Sequence, residues 1–146
     1  MNKRLAAVAV LLLGLTAGLA LLHGASRPEI PEGSVLVQTS GGDFHLILDK
    51  LPAVPITGEI VNGRGERKPV SGEGIALKDA LLAAGVSVPR QVTAIAEDEY
   101  SAVIEGNELD EGRIYLLIEG NEGRLVAFGD PDSRRSVSHL VRLVVE

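Results

Sequence analysis

Gly74-Ile75-Ala76-Leu77-Lys78-Asp79-Ala80-Leu81-Leu82-Ala83-Ala84-Gly85-Val86 is the stretch on which the fold turns. Ile75, Leu77, Leu81, Leu82 and the alanines among them make a broad apolar face at helical spacing, while Lys78 and Asp79 fall on the exposed side. Gly85 suits the C′ position, where positive φ is needed. The pattern predicts a helix over Ile75–Ala84, with Ser71-Gly72-Glu73-Gly74 leading into it.

On either side of this helix the chain reads as strands. Upstream, Val35–Thr39 and Phe44–Leu48 flank the turn residues Ser40-Gly41-Gly42-Asp43, and Thr57–Val61 ends at Asn62-Gly63-Arg64-Gly65. Downstream come Gln91–Ala96, Ser101–Ile104, then Ile114–Ile118 and Leu125–Phe128 around Glu119-Gly120-Asn121-Glu122-Gly123, and a final strand over Leu140–Val145. The expected class is α+β, a mostly β single domain with one clear helix. Ile104-Glu105-Gly106-Asn107-Glu108 recurs as Ile118-Glu119-Gly120-Asn121-Glu122. Two copies do not make a solenoid, so the repeat reads as one good turn used twice.

Composition narrows the functional classes. Aromatic residues make up 3% of the 146 and Trp is absent, so the expected single core is built from Val, Leu, Ile and Ala. Such a core offers few stacking surfaces for bases or sugars. The formal net charge is −6, and removing Lys3 and Arg4 with the uncharged run behind them leaves 12 basic against 20 acidic residues. Nucleic acid is excluded as an expected partner, because phosphate binding needs clustered Lys and Arg. The chain has no cysteine, which removes disulfides, thiolate chemistry and cysteine metal sites.

The N-terminus reads as an export element over residues 1–26. Lys3 and Arg4 precede an uncharged run from Leu5 to Leu22, which as a helix is about 27 Å long, enough to span a bilayer core. An uncleaved signal anchor and a cleaved signal peptide both fit, since Gly24-Ala25-Ser26 is an acceptable cleavage site. Either way the positive flank stays inside and the domain goes outside the cytoplasm, in the cell membrane or secreted. A proline-rich linker over 27–33 then leads to a domain over 34–146, expected to meet the membrane through the N-terminal helix and to bind a protein partner or a small ligand through its loops.

Three motifs in order are similar to the molybdopterin-binding domain of sulfite-oxidase-type oxidoreductases. Gly74 to Val86 resembles that family's helix motif, and Ala96-Glu97-Asp98-Glu99-Tyr100-Ser101 resembles its A-x-D-G-Y-S, with Glu99 in place of glycine. Arg124-Leu125-Val126-Ala127-Phe128-Gly129-Asp130, followed by Arg135-Ser136-Val137 to Leu143-Val144-Val145, resembles its closing segment, with Ser136 in place of tryptophan. The resemblance implies a sulfite-oxidase-like fold. The family holds molybdenum through a cysteine thiolate, so without cysteine no cofactor, molybdopterin included, is expected, and catalysis is not. An accessory or degenerate component of a molybdopterin-dependent redox system is the alternative.

Few residues stand out as chemistry. His45 and His139 lie within the domain without metal-ligand spacing, and no Gly-x-Ser-x-Gly elbow is present. Glu97-Asp98-Glu99 and Glu108-Leu109-Asp110-Glu111 read as solvated acidic turns rather than calcium loops. Arg134, Arg135, His139 and Arg142 are the only basic concentration and the candidate anion or ligand contacts, although in an alternating strand they would form its polar face.

Overall fold

The computed structural model describes residues 29–146, so the export element and the first linker residues lie outside the described residues. Nine strands form one sheet: β1 (Ser34–Thr39), β2 (Gly42–Ile47), β3 (Val54–Val61), β4 (Arg67–Ala76), β5 (Gln91–Ala96), β6 (Ser101–Glu105), β7 (Ile114–Glu119), β8 (Glu122–Ala127) and β9 (Val137–Val145). The one α-helix among the described residues is α1 (Leu77–Ala83), and 3-10 turns occupy Leu48–Lys50 and Gly106–Glu111. The mostly β class with one clear helix is therefore as expected. The last linker residues are docked: Leu48 donates its N–H to the Gly33 carbonyl at 2.9 Å, and the Asn121 side chain donates to Glu32.

The helix begins two residues later than its apolar pattern suggests. Ile75 and Ala76 pair with Leu116 and Tyr115 of β7, so the sheet claims them first. At the other end the N–H of Val86 bonds Leu81 and that of Gly85 bonds Leu82, both at 2.9 Å, with Gly85 at φ 83. These two bonds are a Schellman closure, and Val86 packs on the core beside it.

Strand β4 was not expected, because Arg67-Lys68-Pro69-Val70-Ser71-Gly72-Glu73-Gly74 has neither apolar alternation nor β-branched richness. Its register with β3 explains how Pro69 is tolerated. Asn62 donates to Glu66, so alternate pairs counted from there are bonded, and Pro69 opposite Glu59 falls at a non-bonded pair.

Strand β9 is the hub of the sheet. It pairs with β5 antiparallel, with β1 parallel over Arg142–Val144, and with β8 antiparallel nearer its start. Both antiparallel registers slip by a residue, and His139 takes φ 51. These bulges turn a period of two into a period of three, so that Val137, Leu140 and Leu143 all point inward and are buried.

Two apolar clusters replace the single expected core. The larger gathers α1 with residues of both halves of the sheet, including Val35, Leu77, Leu81, Ile104, Leu116, Leu125 and Leu143. The smaller holds Ile60, Leu117 and Val126, flanked by Tyr115 and Phe128. Leu116 and Leu117 are adjacent on β7 and both buried, so that strand is covered on its two faces. The sheet curls until β3 touches the end of β8: Phe128 lies where a Cβ on Gly58 would stand, and Gly129 donates to the Glu59 carbonyl at 3.3 Å.

Candidate functional site

Four charged side chains, Glu108, Arg113, Asp130 and Arg135, meet where the loop between β8 and β9 crosses the 3-10 turn and the start of β7, with the exposed Glu111 at the rim. Gly129 at φ 81 swings the chain away from β8 and delivers Asp130, which is 8% exposed. Arg135 grips Asp130 through Nε and Nη2, both at 2.7 Å, and donates from Nη1 to Glu108 Oε1 and Oε2 at 2.7 and 2.6 Å. Arg113 reaches Glu108 at 3.1 Å, Glu111 at 2.7 Å and the Asp130 carboxylate.

The electrostatics follow from this geometry. Burial alone would raise the Asp130 carboxyl, but hydrogen bonds from Arg135 and Arg113 outweigh it and hold the group below its ordinary value. Glu108 behaves alike: burial raises it, the Arg135 bond and the Glu105 N–H lower it, and the net direction is down. Arg135 is raised, chiefly by its bonds to Asp130. All four groups are thus held charged at neutral pH, and none is poised to exchange a proton.

The sequence pointed to Arg134, Arg135, His139 and Arg142 as anion contacts, and the structure distributes them. Arg135 belongs to the network just described. Arg134 bonds Asp132 at 2.8 and 2.6 Å and is exposed. His139 places Nδ1 2.7 Å from Glu122, and Arg142 lies 3.9 Å from Glu99. Each of the four faces at least one carboxylate, and Arg135 shares its two with Arg113. Glu108, read as part of a solvated turn, is instead the half-buried partner of two arginines. Its one sequence signal was the Glu105–Glu108 spacing of a capping box, which the structure forms.

Open clefts flank this region. One of about 500 Å³ runs between β6 and the 130–135 loop, lined by Tyr100, Ser101, Val103, Pro131 and Arg134. Tyr100 bridges it, donating its hydroxyl to the Arg134 carbonyl at 2.6 Å. A second, of about 340 Å³, lies where the chain joins the domain, with Pro31, Leu48, Glu97, Glu122 and His139 around it. No grouping of His, Asp and Glu suited to a metal ion occurs among the described residues.

The positions where the chain departs from the sulfite-oxidase-type motifs have local explanations. Glu99 takes φ 71, a left-handed conformation that glycine adopts freely, in the turn where Glu99 donates to Ala96 at 3.0 Å. The Ser136 hydroxyl accepts from Arg124 at 3.2 Å. The residues present do not fit a molybdenum centre of that type, since no thiolate is available and the closing-motif Asp130 and Arg135 bond each other. No known protein family matches the chain. No curated protein matches it either.

Proposed function

We propose that this protein is a membrane-tethered or exported, non-catalytic domain of sulfite-oxidase-like fold that binds a protein or small ligand through its loops. The observation that carries the reading is the mutual pairing of Asp130 and Arg135. These residues carry the closing motif of the resemblance, and their polar atoms are spent on joining the 3-10 turn to the loop between β8 and β9. What stays open is cleft surface rimmed by Tyr100, Val103 and Arg134. The uncharged run from Leu5 to Leu22 supports the tether, with Lys3 and Arg4 on the inner side.

Two measurements test the proposal. Metal and pterin analysis of the purified full chain should find neither in stoichiometric amount, and one molybdenum per chain would overturn the non-catalytic reading. Protease added outside intact cells or spheroplasts should degrade the domain. Protection until the membrane is opened would overturn the export reading.

A further inference from the structure

We infer that the free edge of β6 is a docking site for an extended segment of another protein, added as a further strand and carrying an acidic residue beside Arg134. The inference deepens the binding role proposed above and rests on it. Strand β6 pairs with β5 alone, and Ala96 donates to the Tyr100 carbonyl at 2.8 Å, so alternation down the ladder turns Ala102 and Ile104 toward β5. Ser101, Val103 and Glu105 therefore aim their backbone groups outward. Glu105 is closed off, because its N–H donates to Glu108 at 3.0 Å. Ser101 and Val103 remain, at the wall of the 500 Å³ cleft.

The other two edges are blunted. On β3, Pro55 lacks an N–H and the Glu59 carbonyl is taken by Gly129. On β2, the bond from Leu48 to Gly33 sets the same alternation, and the outward positions are Asp43, His45 and Ile47, two of them polar or charged. The β6 edge has no proline, lysine or charge between Ser101 and Ile104, and Val103 is 44% exposed.

Two considerations choose the occupant. An edge open over only Ser101 and Val103 falls far short of the roughly 1,200 Å² that a stable folded pair buries, so a second copy is poorly served. A single extended strand can instead lie in the cleft and gain main-chain bonds on one side. Charge sets the remaining feature. Asp132 takes the Nε and Nη2 donors of Arg134, which leaves Nη1 for a further carboxylate in the cleft that Arg134 and Ser101 both line.

The test is selection from a phage-displayed library of random twelve-residue peptides against the full chain in detergent, followed by titration of the best synthetic peptide. Alternating β-branched residues with Asp or Glu near one end should be enriched, and binding should protect the Ser101 and Val103 amides from hydrogen exchange. Val103→Pro removes only an outward N–H, so it should weaken the peptide about tenfold or more. Val103→Glu keeps the outward N–H and controls for misfolding, and its charge repels the acidic peptide, so it should also weaken binding, while Arg134→Ala should cost several-fold. Three results would overturn the inference: no enrichment, binding unchanged by both Val103 variants, or a mass doubling of the free protein that Val103→Pro abolishes. Binding of the selected peptide elsewhere on the domain would overturn this site and leave the proposed binding role standing.

Discussion

Arg135 holds Asp130 by two parallel bonds of 2.7 Å, the fork of the guanidinium matched to the two oxygens of a carboxylate that is only 8% exposed. Removing one partner leaves the other charge half-stranded, because Arg113 reaches Asp130 from one side only. Arg135→Ala should cost about 3 kcal/mol of stability in urea unfolding. A change below about 0.5 kcal/mol would mean that the pair behaves as a solvated surface bridge.

The same pairing sets the acid limit of the fold. Asp130 and Glu108 have folded values below their ordinary 3.8 and 4.5, so the unfolded chain takes up protons first. Their contribution is complete above those ordinary values and drains as pH falls through them toward the lowered folded ones. Unfolding free energy should therefore drop between about pH 5 and pH 2, and Arg135→Met should flatten that limb. An equally steep acid limb in the variant would place the titration elsewhere.

Gly106 is irreplaceable for a steric reason. A Cβ there would stand 1.9 Å from the Pro89 carbonyl oxygen, and the Gly106 N–H already bonds Arg90 at 2.8 Å. The obstacle is backbone that no rotamer change removes. Gly106→Ala should cost about 3 kcal/mol, whereas Gly63→Ala, where a Cβ meets nothing within 4 Å, should be tolerated. Equal stability of the two variants by thermal unfolding would contradict the close approach.

Glu99 sits at φ 71 in the turn joining β5 to β6, with the distant Arg142 contact at 3.9 Å as a small compensation. Glu99→Gly should stabilise the domain by about 0.5–1 kcal/mol, relief of the left-handed strain exceeding what the exposed side chain's contacts contribute. A destabilised variant would show that the Glu99 side chain contributes more than its turn costs.

Much of this fold could be read from residue pattern. Strand β5 occupies Gln91–Ala96 as predicted, and the hairpins β1–β2 and β7–β8 fall where their glycine turns put them. What escaped has physical causes. Strand β4 is held by neighbours on both sides, so its polar, proline-containing sequence needs no strand signature of its own. The repeated Ile-Glu-Gly-Asn-Glu pentads serve different ends: Gly120 takes φ 66 in a hairpin turn, while Gly106 makes room for Pro89. The three-residue spacing of Val137, Leu140 and Leu143 follows from bulges that strict alternation hides. The charged network eluded sequence reading because Glu108, Arg113 and Asp130 come from separate elements and meet only through the loop that Gly129 turns.

Strand β9 also dictates how the domain comes together in time. The pairs β1–β2, β3–β4 and β7–β8 are neighbours in sequence and can zip up locally within microseconds, yet none of them is joined to β5 except through β9. Leu36 must find Arg142 across most of the chain. Such high contact order predicts slow, cooperative folding, with β1–β2 and β5–β6 waiting apart from the unit that β4 and β7 join until β9 unites the three.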